Sequence, residues 1–186
     1  RKALFANHPK TAEVEKELRA QIKLALRKGL RVSYVDYHMG AAVSTPELQE
    51  VVERLAREFK LGISQYFGEA YVPTVFSAAP DKKLSEAVGI IEGMTEPKLY
   101  LFVSHPGVNT PELAAMTDLN PTGVKPMAVH RQAECDMLCS SEFKAAIQRR
   151  GLRLIGYNQL RAAGLEAMKR PWTADPYKPH REPAKR

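Results

Sequence analysis

A carboxylate and an imidazole stand two residues apart in the first quarter of the sequence, as Asp36 and His38. They close an apolar, tyrosine-containing run that begins at Leu30, and this composition favours a β-strand. Side chains alternate along an extended chain, so both groups should point to one face. Gly40 follows and lets the backbone turn sharply away. The pattern predicts a functional pair at a strand end, although a solvated aspartate beside a structural histidine would give the same sequence.

A second histidine has the same setting. Residues 98–104 form the most strand-like run of the sequence, and it ends directly in His105, Pro106 and Gly107. In parallel α/β sheets and barrels the carboxyl ends of the strands open on one side, where ligands bind. If the two strands are parallel, we expect His38 and His105 to lie at the same open side of the sheet or barrel, which we call its mouth.

The elements around these histidines alternate between helical and extended patterns. Apolar spacing and capping residues predict helices over residues 11–28, 46–59, 84–91, 128–138 and 141–150, and strands over 30–38, 63–67, 98–104 and 152–155. Thr11, Thr45 and Ser140 or Ser141 are the expected caps. This order predicts βα units and a mostly parallel sheet. Four or five strands do not close an eight-stranded barrel, so the sequence fits an open sheet or a barrel whose first strands lie upstream.

The charge of the sequence is unevenly distributed. The formal net charge is +7, and residues 168–186 hold six Lys or Arg against two acidic residues, with four prolines. We therefore expect a single α/β domain over residues 1–167 and a basic, extended tail over residues 168–186. Only Trp172 and Tyr177 could stack on bases there, so a nucleic-acid partner is not indicated.

Membrane and cysteine signals are weak. No apolar run approaches the roughly 20 residues that a membrane span needs, and no signal-peptide pattern opens the sequence. The sequence does not begin with Met, so a removed leader is left open and no compartment is predicted.

Cys135 and Cys139 stand four apart in a predicted helix, where two small buried hydrophobic residues are expected rather than a disulfide or a zinc site.

The order of the motifs resembles one family over the chain up to about Leu160. It runs from a helix rich in Glu and Gln through Gly29, the Asp-Tyr-His-Met-Gly run at 36–40, the His-Pro-Gly turn at 105–107, Arg131 with Glu134, the Ser-Ser-Glu-Phe run at 140–143, and Gly151 with Leu152. This order resembles the YdjC-type carbohydrate deacetylases, which include chitooligosaccharide deacetylase.

That resemblance implies a variant (β/α) barrel of mostly parallel strands, incomplete here because its first strands lie upstream. It also implies the removal of N-acetyl groups from oligosaccharides with a divalent metal, Mg²⁺ or Zn²⁺. His38 matches a metal-ligand position, whereas the paired aspartates and the further ligand histidine that come earlier in the family pattern are absent from this sequence. The family usually has His where Tyr34 stands and Ser where Tyr37 stands.

The residue types suit this chemistry. A bound metal lowers the pKa of water and polarises the acetyl carbonyl, and His105 is the candidate general acid for the leaving amine. Asp36 would orient an imidazole or touch the metal. Arg131 and Glu134 would form an ion pair that holds the site, unless they are a plain surface pair on a helix. Glu69, in a loop predicted to face the same mouth, is a further candidate for substrate binding.

Two other functions fit the same sequence. One is a non-catalytic family descendant, a binding or assembly subunit whose basic tail holds an acidic partner or RNA. The other is a different metal-dependent barrel enzyme that acts on a sugar. For the deacetylase the expected partner is an N-acetylated oligosaccharide, and the sequence leaves a homo-oligomer open.

Overall fold

The computed structural model describes residues 6–120 and 123–170, and the chain divides into two compact units. Within the described residues, the first unit comprises 6–68 and 155–170, and the second comprises 69–154 without residues 121 and 122. Of the predicted basic tail, residues 171–186 lie outside the described residues.

Helices dominate both units. The α-helices are α1 (Thr11–Arg27), α2 (Pro46–Phe59), α3 (Lys83–Glu92), α4 (Pro111–Ala115), α5 (Met127–Cys139), α6 (Ser141–Arg149) and α7 (Tyr157–Ala163). Shorter 3₁₀ turns cover His38–Val43, Pro80–Lys82 and Leu165–Ala167. The strands are β1 (Tyr34–Val35), β2 (Gly62–Ile63), β3 (Ala70–Tyr71) and β4 (Tyr100–Leu101).

The strands pair in parallel, as predicted, but they are shorter than predicted. In the first unit β1 pairs with β2, with Tyr34 opposite Gly62, and in the second β3 pairs with β4, with Ala70 opposite Tyr100. The described residues form two separate two-stranded pairs and no closed barrel. A strand needs a partner for its backbone groups, and no predicted run has more than two residues paired in a ladder. The strand predicted at 152–155 is wrong, and β3 lies in a stretch where no strand was predicted.

The core of the first unit lies under α2. Thr45 caps this helix as predicted, because its hydroxyl accepts a hydrogen bond from the Leu48 N–H at 3.3 Å, and Pro46 occupies the first turn. At α1, in contrast, the capping position is Lys10 and Thr11 is already helical. The buried side chains packed together here are Tyr37, Val43, Val52, Ala56, Ile63 and Tyr66.

The core of the second unit is built by α3, α5 and α6. Ser140 caps α6 as predicted, accepting from the Phe143 N–H at 3.1 Å. Its central buried side chains are Val72, Val75, Ala87, Ile91, Met94, Met137, Phe143, Ala146 and Ile147. The prediction of two buried cysteines is wrong: Cys139 is exposed and Cys135 half-buried, because α5 turns Glu134 and Met137 inward instead.

Candidate functional site

Asp36 and His38 follow directly on β1 in the first unit. Both side chains are exposed, whereas Tyr37 between them is buried and its hydroxyl donates to the Ser64 carbonyl at 3.1 Å. This alternation is what an extended chain gives, so the carboxylate and the imidazole project from the side opposite to Tyr37. The Asp36 carboxylate also accepts a hydrogen bond from the Tyr37 N–H at 2.8 Å.

The backbone turns immediately after His38, as Gly40 predicted. Met39 has φ 51° and Gly40 has φ 65°, both in the left-handed region. The Gly40 N–H donates to the Tyr37 carbonyl at 2.9 Å and Gly40 itself is buried. The turn therefore fixes where the exposed His38 stands relative to the packed Tyr37.

In the second unit, α5 holds the turn that carries His105. One Glu134 oxygen, Oε2, accepts hydrogen bonds from the His105 N–H and from the Ser104 hydroxyl, the latter at 2.7 Å. The Arg131 guanidinium donates to the His105 carbonyl at 3.3 Å, and the Gly107 N–H donates to the Arg131 carbonyl at 3.1 Å. The structure thus brings His105, Arg131 and Glu134 together and fixes the peptide groups on both sides of His105.

The ion pair predicted between Arg131 and Glu134 is not formed, since Glu134 pairs with Lys83. The Lys83 ammonium lies 3.1 Å from Glu134 Oε1 and also donates to the carbonyls of Val75 and Phe76, at 2.6 and 3.0 Å. The Lys83 side chain is 0% exposed and that of Glu134 is 2% exposed. Glu134 points into the core, whereas Arg131 reaches the His105 carbonyl, so a pairing based on helix spacing alone fails.

The electrostatics of this cluster favour a charged Glu134. Burial acts to raise the pKa of its carboxyl, but hydrogen bonds from His105, Ser104 and Lys83 outweigh burial, and the pKa lies below its usual value. The pKa of the neighbouring His130 is lowered by burial and then by the positive charge of Lys83. We therefore expect an ionised Glu134 and a neutral His130 at neutral pH.

Glu69 does not join His105. It immediately precedes β3, whereas His105 comes after the carboxyl end of β4, and the two strands are parallel. The two residues therefore lie at opposite ends of this strand pair. The loop predicted after β2 leads into β3. The sequence pattern did not predict this strand.

Lys83 is the site residue that sequence reasoning missed. It stands four and eight residues before Ala87 and Ile91, two members of the apolar stripe from which α3 was predicted. A lysine in register with such a stripe can be drawn into the core with it, and a buried ammonium needs an acidic partner. This register was the signal that could have identified Lys83.

The described residues do not complete a metal centre. Within residues 6–120 and 123–170, no three His, Cys, Asp or Glu side chains are grouped so that they could hold a metal ion. A catalytic metal usually takes three protein ligands, and Asp36 with His38 offers two donors. No helix in this part of the chain is long and apolar enough to cross a membrane. His38 belongs to the first unit and His105 to the second, and their shared mouth stays a prediction.

Comparison with known proteins confirms the resemblance. The model of the YdjC-like protein family matches residues 1–149, which is most of the chain and includes the Asp36 to Gly40 run, the His105 turn and Glu134. No curated protein gives a significant match. Proteins of this family are related to carbohydrate deacetylases. The chain therefore belongs to the YdjC-like family.

Proposed function

We propose that this chain is a carbohydrate deacetylase that hydrolyses N-acetyl groups on oligosaccharides of the chitooligosaccharide class. Family membership supports this reaction, and one observation supports it at the level of the site. The His105 backbone is held on both sides, by Glu134 at its N–H and by Arg131 at its carbonyl. Such support is typical of a side chain whose position matters for chemistry.

Hydrolysis of an acetamide needs an activated water and a proton for the leaving amine. We assign the proton donation to the His105 imidazole, because imidazole exchanges protons near neutral pH. The Phe76 ring meets the His105 ring edge to face, with centroids 5.3 Å apart, and limits the orientations open to the imidazole. Glu134 and Arg131 act on the backbone of this turn and are positioning residues in the proposal.

In this proposal, Asp36 and His38 would lie where the attacking water and a metal ion are held. A divalent metal such as Mg²⁺ or Zn²⁺ would supply activation of water and of the carbonyl, with His38 as one ligand. Among the described residues, no third ligand is grouped with Asp36 and His38. Asp36 would orient the imidazole or the water through its carboxylate.

Acetate release from an N-acetylated chitooligosaccharide tests this function, measured with added Mg²⁺ or Zn²⁺ and with a chelator. We expect His105→Gln to lower kcat by about 100-fold or more, the usual contribution of a general acid. His38→Ala should also lower the rate. His8→Ala is the matched control, because His8 is exposed and lies outside both histidine motifs.

Two results would count against the proposal. Equal rates for the wild type and His38→Ala would reject the role of His38. A wild-type chain that releases no acetate under any metal condition would instead favour a non-catalytic member of the family.

A further inference from the structure

We infer that Tyr34 and Tyr157 form a stacking subsite for a sugar ring of the substrate, next to Asp36 and His38. The inference rests on the proposed function, because it names where a neighbouring unit of the oligosaccharide would bind. All four residues belong to the first unit.

The two tyrosine rings are stacked nearly in parallel. Their centroids are 4.1 Å apart and the ring planes differ by 18°. The Tyr34 side chain is still 39% exposed, although it begins the paired strand β1. The ring of Phe67 lies 6.2 Å from that of Tyr157 and is tilted by 54°. Together the three rings make an aromatic surface, part of which reaches solvent.

Hydrogen bonds hold this aromatic surface in place. The Tyr157 hydroxyl lies 3.1 Å from the Ser64 hydroxyl and accepts from the Gln65 N–H at 3.4 Å. Tyr34 stands opposite Gly62 in the ladder, and a Cβ atom at Gly62 would come within 3.1 Å of the Phe67 ring. A bulkier residue there would push Phe67 away. The surface is therefore ordered before any ligand arrives, which lowers the entropic cost of binding.

The strand places this surface in line with the candidate reactive groups. Tyr34, Asp36 and His38 are all exposed, while Val35 is half-buried and Tyr37 is buried. Residues two apart on an extended chain share a face and are roughly 7 Å apart. Tyr34 thus precedes the carboxylate by one step along the same face.

The chemistry of this face suits a pyranose. A sugar ring presents C–H groups on its faces and hydroxyls around its rim. A tyrosine offers an apolar ring face and a polar tip, and ligand sites combine such aromatic surfaces with a few polar groups. A sugar ring on Tyr34 would therefore be followed along the strand by Asp36, which can accept hydrogen bonds from hydroxyls or from an acetamide N–H.

Equilibrium binding of N-acetylated chitotriose and of its deacetylated counterpart tests the subsite. Tyr34→Leu keeps an apolar side chain against Tyr157 but removes the ring, and we expect it to raise Kd by about threefold to tenfold. Tyr34→Phe keeps the ring and should bind as the wild type does. Because the contact is with ring faces, both sugars should lose affinity to a similar extent. Circular dichroism and thermal melting show whether each variant is folded.

The outcomes separate this inference from the proposed function. If Tyr34→Leu is folded and binds both sugars as tightly as the wild type, the stack only holds α7 on the sheet and the inference is overturned. Absence of binding by the wild type overturns it as well. If affinity depends on the Tyr34 ring but no acetate is released, the subsite stands and the deacetylase proposal falls. If Tyr34→Leu releases acetate with the same KM as the wild type, the deacetylase proposal stands and the subsite falls.

Discussion

Replacing Lys83 with Met should destabilise the second unit more than any change of a surface charge. Lys83 is fully buried, and its ammonium makes three short contacts, with Glu134 and with the carbonyls of Val75 and Phe76. Methionine fills a similar volume but leaves the carboxylate and both carbonyls without that donor. Removing one partner of a buried ion pair typically costs about 3–5 kcal/mol. We expect Lys83→Met to lose this amount at pH 7, or to fail to fold.

The pH dependence of this loss follows from the carboxylate. The pKa of Glu134 is lowered in the folded chain, so its ionised form stabilises the fold above the unfolded pKa of roughly 4.3, and that contribution fades as pH falls through the folded value. Without Lys83, one of the groups that lower this pKa is gone and the pKa rises. Protonation then relieves the buried charge, so the stability difference between wild type and variant should narrow between pH 7 and pH 4.

Urea unfolding followed by circular dichroism at several pH values measures this difference. Lys98→Met is the matched control, because Lys98 forms an exposed ion pair with Glu96 at 2.6 Å in the same unit, and its loss should leave the midpoint nearly unchanged. A Lys83→Met variant as stable as the Lys98→Met control at pH 7, or a difference that stays constant down to pH 4, would refute the reasoning.

Three further changes test the local structure, each by the urea midpoint. Gly40→Ala should cost about 1 kcal/mol or more, because a Cβ is disfavoured at φ 65°; an unchanged midpoint would contradict the left-handed turn. Gly89→Ala, in the middle of α3 with open space around an added Cβ, should instead stabilise by about 0.5–1 kcal/mol. Thr45→Ala should cost about 1 kcal/mol by removing the α2 cap, whereas Thr45→Ser should cost much less.

Helices were predictable because their signals are local. The caps Thr45 and Ser140 and the apolar stripes that follow them lie within a few residues of one another, and α2 and α6 begin where the sequence indicates. Strand lengths were not predictable, because a strand ends where its partner ends, and that partner is distant in sequence. The runs at 30–38 and 98–104 look extended throughout, yet only two residues of each are paired.

In the candidate site, too, local signals were predictable and contacts between distant residues were not. The strand-end pattern pointed to His105, the family resemblance added Arg131 and Glu134, and the structure brings these three residues together. The partner of Glu134 was predicted within its own helix, but Lys83 lies 51 residues away on α3. Local spacing proposes a surface pair, whereas the packing of α3 against α5 decides which charge is buried.

The buried Glu134 has a use that an apolar side chain could not have. Replacing a buried ion pair by well-packed hydrophobic residues is often neutral or stabilising, so packing alone does not explain the pair. Here Oε1 accepts from Lys83 while Oε2 accepts from the Ser104 hydroxyl and the His105 N–H. A glutamine has one acceptor oxygen and would turn its amide N–H groups toward a donor on one of the two sides. Only a carboxylate satisfies both, and it thereby ties the His105 turn to the core of the second unit.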